Sequence, residues 1–246
     1  MAGNIHWAIV HGWWEWGSYT WNMAGKMIQF PSNAHQTPGY LSKPDGDGPF
    51  PAVVAIQEWW GLVGHIKDVA DRFAAEGFLT LAPDLYHGKS ADEPNEARKL
   101  AMALDRDRAI QELASASKYL RTLDNVNGKV GVVGWCMGGG LALSAAANGA
   151  GADAVVCFYG RPLDARDTAK LKAPVLGLYG DKDGGNPMSI VQDFDKELEK
   201  AGVQHTVHVY AGAEHVFFND DRPAYHPEAA ADAWKRTLAW FREYLK

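Results

Sequence analysis

Apolar positions along this chain fall into short unbroken runs that alternate with stretches of helical spacing. Pro51–Gln57 carries Ala-Val-Val-Ala-Ile without a polar break, as a strand buried on both faces of a parallel sheet requires. Ile66, Val69, Ala70, Phe73 and Ala74 then recur at mostly three- and four-residue intervals, which predicts a helix, and Gly77 stops it at a C′ position. Further strands are expected at Phe78–Ala82, Lys129–Val133, Ala154–Tyr159, Pro174–Tyr179 and Gln204–Tyr210. Helices are expected in Asn95–Leu123 (one or two), Gly138–Asn148, Pro187–Ala201 and Pro227–Leu245. Ahead of all these, Lys26–Phe30 and Gln36–Leu41 flank a Pro-Ser-Asn turn and read as an antiparallel hairpin. Strand–helix alternation implies right-handed crossovers and a mainly parallel twisted sheet with helices on both faces, an α/β fold. Reactive groups in such a sheet belong on loops at the carboxyl ends of its strands. No repeat or composition break divides residues 23–246, which read as one domain.

Composition narrows the partners. A net charge of −6 over 246 residues argues against nucleic acid or an anionic membrane, since either needs a basic face. No apolar run approaches the roughly 20 residues of a membrane span. The two cysteines, Cys136 and Cys157, have neither metal-type nor C-x-x-C spacing, so a reducing cytoplasm is the expected location. Residues 1–22 stand apart, because His6–Trp21 holds five of the ten tryptophans. Lacking a basic start and an apolar stretch, this segment is not a secretory signal. It reads as an added or family-atypical extension, or as an edge element whose rings cover the sheet or a partner surface.

One strand runs directly into a helix through Gly134-Trp-Cys-Met-Gly138. This G-x-C-x-G is a nucleophile elbow with sulfur in place of oxygen. The sharp turn strains the central residue and projects its side chain, and glycines two positions away avoid a clash. The helix N-terminus favours a thiolate at Cys136. Cys157 lies inside an apolar strand and reads as a small hydrophobe. The same topology expects an acid two strands later and a histidine near the C-terminus. The strand ending in Gly180-Asp-Lys-Asp183 offers two acids. Asp183 holds the favoured G-x-x-D position, and Asp181 could cap the turn. His215 follows the last strand before the closing helix.

With these residues placed, the chain from about Met23 onward resembles the dienelactone hydrolase family, the cysteine-nucleophile branch of the α/β-hydrolase fold. The matching segments are Ile56-Gln-Glu-Trp-Trp-Gly61, Ala82-Pro-Asp-Leu-Tyr86, Gly131-Val-Val-Gly-Trp-Cys-Met-Gly-Gly139, Phe158-Tyr-Gly160, Gly180-Asp-Lys-Asp183 and Gly212-Ala-Glu-His215. The resemblance implies a triad of Cys136, His215 and Asp183. It also implies that Glu58 pairs with the resting thiol, and that the backbone N–H groups of Met137 and Trp59 form the oxyanion hole. Two arginines that dienelactone-cleaving members use for the substrate carboxylate are replaced here, at Gly88 and Asn219. Arg161 and Arg222 are the candidate substitutes.

The expectation is therefore an esterase or lactonase working through an acyl-thioenzyme, without metal or organic cofactor. It should prefer neutral or aryl esters in an aromatic pocket formed by Tyr86, Trp135, Tyr159, Trp60 and Phe217. A monomer or weak homodimer is expected. The competing reading is a small-molecule receptor on the same fold with negligible turnover.

Overall fold

The structure, a computed structural model, describes residues 25–32 and 35–246, so the tryptophan-rich segment lies outside the described residues. An antiparallel hairpin, β1 (Lys26–Ser32) and β2 (His35–Ser42), opens the fold. It is followed by β3 (Phe50–Ile56), α1 (Gly64–Ala75), β4 (Leu79–Pro83), α2 (Pro94–Ala103), α3 (Arg106–Arg121), β5 (Val126–Trp135) and α4 (Met137–Ala147). The remainder is β6 (Ala154–Phe158), α5 (Ala165–Thr168), β7 (Val175–Gly180), α6 (Met188–Lys200), β8 (His205–Tyr210) and α7 (Pro227–Tyr244). The eight strands form one sheet in the order β1-β2-β4-β3-β5-β6-β7-β8. All pairings from β4 to β8 are parallel, and β2 meets β4 antiparallel. The long polar stretch divides into α2 and α3 at Asp105, whose carboxylate caps α3 by accepting the Arg108 N–H at 3.0 Å. The single-turn α5 carries no periodic signal that could have predicted it.

Alternation along each central strand builds a core on both faces. Val54 and Ile56 of β3, Val132 of β5 and Cys157 of β6 face a layer containing Leu113, Leu141 and Phe194 of α3, α4 and α6. Val53, Val133, Trp135 and Phe158 face Ile66, Phe73 and Phe241 of α1 and α7. Gly131 takes the β5 position beneath Phe241, where a Cβ would lie 2.6 Å from the ring. No helix among the described residues is long and apolar enough to cross a membrane.

Parallel pairing brings the ends of β3, β5, β7 and β8 to one edge of the sheet. Glu58, Cys136, Asp183 and His215 each lie within five residues of a strand end. The closing helix α7 is seated against the sheet that carries these ends. Phe241 is fully buried, with ring centroids 6.0 Å from both Phe73 and Phe78. Phe241→Ala should lower unfolding free energy by about 3–5 kcal/mol, the range for a large aromatic truncated in a close-packed core. Urea denaturation followed by circular dichroism measures this, and a loss below about 1 kcal/mol would show that α7 is not a principal clamp.

Candidate active site

Cys136 joins β5 to α4 with φ 54° and ψ −116°. A positive φ is rare for a side-chain-bearing residue and costs on the order of 1–3 kcal/mol, so surrounding bonds must impose it. The Cys136 N–H donates to the Phe158 carbonyl at 3.0 Å, and its own carbonyl accepts from Gly139 at 3.1 Å and Gly140 at 3.3 Å. The flanking glycines are sterically required. A Cβ at Gly134 would run into the Gly138 carbonyl, and one at Gly138 would run into the carbonyls of Ile56 and Gln57.

His215 Nε2 lies 3.1 Å from Cys136 Sγ, and its Nδ1 lies 2.8 Å from Asp183 Oδ2. The Asp183 carboxylate is held on every side. Its Oδ1 accepts the Gly185 N–H at 2.8 Å and the Asn186 N–H at 3.2 Å. Its Oδ2 accepts the Asn186 side-chain amide at 2.9 Å, and that amide also donates to the Tyr159 carbonyl at 2.9 Å. Burial pushes the Asp183 carboxyl up, but the hydrogen bonds from His215 and Asn186 outweigh it and hold the group below its ordinary range. Asp181 points elsewhere, with Oδ1 accepting the Gly212 N–H at 2.7 Å. It pins the turn, and the histidine's partner is Asp183. Tyr159 (φ 38°) and Val216 (φ 58°) add two more strained backbones beside the histidine. Such strain concentrates where surrounding structure over-determines a geometry.

Glu58 is buried, and its Oε2 accepts the Asn219 amide at 2.7 Å while the Tyr159 hydroxyl lies 3.5 Å from Oε1. Burial raises its pKa, opposed by the Asn219 bond and by the charges of His65, His215 and Arg222. The resting Glu58–thiol pair implied by the resemblance is not the arrangement here. The sulfur faces His215, and Asn219 and Tyr159 take the carboxylate.

A cavity of about 160 Å³ opens over Cys136, with Met137, Tyr159, Asn186, His215, Arg106 and Arg161 in its wall. Of the five residues expected to bind substrate, only Tyr159 lines it. Trp135 is fully buried because its place in β5 turns it toward α1 and α7, where it stacks on Phe158 at 5.4 Å and Phe218 at 5.9 Å. Phe217 is likewise core, packed on Tyr159 at 5.2 Å and Tyr210 at 5.1 Å. Tyr86 is largely buried. Its hydroxyl donates to the Trp59 carbonyl at 3.1 Å and sits 3.5 Å from Met137 Sδ, so it ties together the β3 and α4 segments. Trp60 belongs to a satellite cluster with Ala91 and Ala97, and the Arg222 guanidinium lies 3.8 Å above its ring. Arg222 is thereby committed to that ring. At position 88 the Gly88 N–H donates to Asp84 Oδ2 at 2.6 Å. In place of the expected aromatic pocket, the cavity is small, mixed in polarity and bordered by two arginines. Arg106 and Asn186 escaped the sequence reading. Cys157 is buried within hydrogen-bonding range of Tyr179, and burial pushes its thiol up to about 11 against that bond.

A mainly parallel sheet with an elbow cysteine after β5 and a histidine bridging it to an acid defines an enzyme of the α/β-hydrolase fold, a hydrolase of carboxylic esters. The chain belongs to the dienelactone hydrolase family, whose model matches residues 37–245. It is 36% identical over 234 residues to an Aquifex aeolicus protein assigned as a carboxymethylenebutenolidase, covering 90% of this chain and all of that one. A Klebsiella pneumoniae crystal structure assigned as a dienelactone hydrolase superposes with a TM-score of 0.83 at 31% identity, covering 89% of this chain and 98% of the other. The dienelactone hydrolase-like promiscuous phosphotriesterase P91, from metagenomic libraries, gives 0.82 at 26% identity, covering 91% and 99%.

The histidine's environment makes its charge measurable. Burial pushes the His215 pKa down, but hydrogen bonds to Asp183 and Cys136 and their negative charges push it up further, to about 10. This lies above the roughly 6.5 of an unfolded histidine. The stabilisation is therefore complete below about pH 6.5 and is lost as pH rises through about 10. An NMR titration of the His215 ring should show a proton retained well above neutrality. In Asp183→Asn the midpoint should fall, because the largest raising influence is gone. An unchanged midpoint would show that the carboxylate does not set the imidazole's charge.

Proposed function

We propose that the chain hydrolyses small esters or lactones through an acyl-thioenzyme on Cys136. The observation that carries this reading is His215 placed between Cys136 Sγ and Asp183. The thiolate attacks the substrate carbonyl carbon, and the C=O π electrons move onto oxygen. That oxyanion is received by the Met137 and Trp59 N–H groups. Met137 is the first residue of α4, where backbone N–H groups lack intrahelical partners. Collapse of the intermediate breaks the bond to the alkoxide, which takes its proton from the His215 imidazolium and leaves a thioester. His215, now neutral, removes a proton from water as it attacks the thioester. The acid departs and the thiolate–imidazolium pair returns.

Asp183 fixes the ring orientation and balances its charge. Glu58, buried against Asn219 and Tyr159, contributes a carboxylate close enough to act on the charge of His215. Residues 23–246 act as one catalytic unit, monomeric or weakly dimeric, in a reducing cytoplasm that keeps Cys136 a thiol. The expected preference for neutral esters rested on positions 88 and 219. The arginines of the cavity wall come from other elements and bear on it separately.

Cys136→Ala should leave a folded protein and remove at least about 10²–10⁴-fold of kcat on an activated aryl ester, the scale of one positioned acid–base group. Asp183→Asn should lower kcat clearly, while Asp181→Asn should act mainly on thermal stability. Steady-state kinetics with melting curves separates these. Full turnover in the alanine variant would remove the nucleophile assignment, and tight binding without turnover in the wild type would favour a receptor.

A further inference from the structure

The loop that carries His215 grips the segment that carries Glu58 at three points. The Asn219 amide donates to Glu58 Oε2 at 2.7 Å, Asp220 Oδ1 lies 3.2 Å from His65 Nδ1, and the Arg222 guanidinium sits 3.8 Å over the Trp60 ring. His65 is the second residue of α1, and its side chain is only 2% exposed against 60% for Asp220. The imidazole packs on the Phe218 ring, with centroids 6.2 Å apart. Its Nε2 is buried and has no hydrogen-bond partner among the described residues. Packing alone would be served by a phenylalanine, whereas an imidazole fixed by a carboxylate can carry a charge that acts on its neighbours. Glu58 is within reach of that charge. Burial pushes its carboxyl up and the Asn219 bond pulls it down, and His65 then exerts the largest charge effect, ahead of His215 and Arg222. Glu58 also faces the Tyr159 hydroxyl at 3.5 Å, a group that feels the charges of Cys136 and Asp183. His65 in turn faces Asp220 from the loop and Asp68 from its own helix, and Asp68 is offset by Arg72. The N-terminus of α1 opposes a proton on His65, so these acids are what favour one there.

We infer that His65, held by Asp220, is a positioning residue that supplies the counter-charge of Glu58 and so keeps a carboxylate beside the Cys136–His215 pair. The pairing parallels Asp183 on His215, but this imidazole acts on a buried acid and never on substrate. Its consequence for catalysis rests on the proposed hydrolysis. The charge of Glu58 does not, and it is read without turnover.

Glutamate labelled with carbon-13 at Cδ reports the ionisation of Glu58 by NMR, its resonance identified by loss in Glu58→Gln. His65→Phe keeps a ring against Phe218 and removes the charge. The Glu58 midpoint should then rise by about one pH unit, because loss of a nearby opposite charge disfavours the carboxylate. Asp220→Asn tests the same link from its exposed end, where little packing is disturbed. Removing that carboxylate lowers the Glu58 midpoint if it acts directly, since a like charge is lost. Acting through His65, it raises the midpoint, since the imidazole gives up its proton more readily. In the His65→Phe background Asp220→Asn should no longer raise it. Failure to rise in either single variant overturns the inference, and Asp220→Asn decides alone if His65→Phe does not fold.

A second arm reads the effect at the sulfur. The rate at which Cys136 is alkylated by iodoacetamide, followed by mass spectrometry of its peptide, is measured across pH. An inflection at the Glu58 midpoint should vanish in Glu58→Gln and move upward with that midpoint in His65→Phe. An inflection that stays in place while the Glu58 midpoint moves overturns the role of His65 at the site. Midpoint and inflection that move together while no ester is cleaved keep the counter-charge and remove the hydrolase reading. Ester cleavage lost in Cys136→Ala, with Glu58 indifferent to His65, does the reverse.

Discussion

The backbone of Cys136 is the constraint on which the site is built. Its φ of 54° is tolerated because three hydrogen bonds and two glycines leave no other path from β5 into α4. Relaxation of that residue toward an extended or helical conformation would swing Sγ away from His215. It would also shift the first turn of α4, against which Ile56, Gln57 and Gly160 are packed without room for a Cβ. The ends of β3, β5 and β6 are therefore positioned by one strained turn. The strain is of order 1–3 kcal/mol, small beside the apolar burial of the two sheet faces that supports it. The core thus holds a local conformation that the isolated peptide would not keep.

The electrostatics divide into two compartments that share His215. On one side Asp183 is held ionised by hydrogen bonds from Gly185, Asn186 and the imidazole. On the other, Glu58 has its pKa raised by burial and is supported mainly by Asn219. Two carboxylates near one imidazole are thus pushed in opposite directions by burial and bonding. Such separation lets similar groups serve different chemistry within one site.

Much of this was legible in the chain, and the exceptions have physical causes. Buried strands leave unbroken apolar runs, and a strand–helix turn that excludes Cβ atoms leaves glycines at fixed spacing, so β3 through β8 and the elbow could be read directly. Aromatic residues leave no comparable mark of where they point. Trp135 and Phe217 looked like pocket walls because they adjoin Cys136 and His215, whereas strand alternation turns Trp135 into the core layer beneath α1 and α7. Arg106 sits in a polar stretch whose helical period shows only that it is exposed. Its approach to Cys136 comes from packing between α3 and the sheet, a long-range consequence. Asn186 was hidden for a similar reason. Its amide matters because the Asp183–Asn186 turn folds back on Tyr159, a geometry that no local pattern specifies.

The bond between Asn219 and Glu58 joins residues 161 positions apart across the back of the site. Each side chain is nearly inaccessible to water, so neither can be altered without leaving a polar group stranded in the interior. A substitution at either position therefore acts on the other. A chain that acquired arginine at 219 would bring a full positive charge onto Glu58 and stabilise it as an anion. A chain that lost the acid would release 219 to vary. The asparagine is how this chain holds its buried carboxylate, and arginine placed at 219 would change the charge of Glu58 together with the residue that holds it.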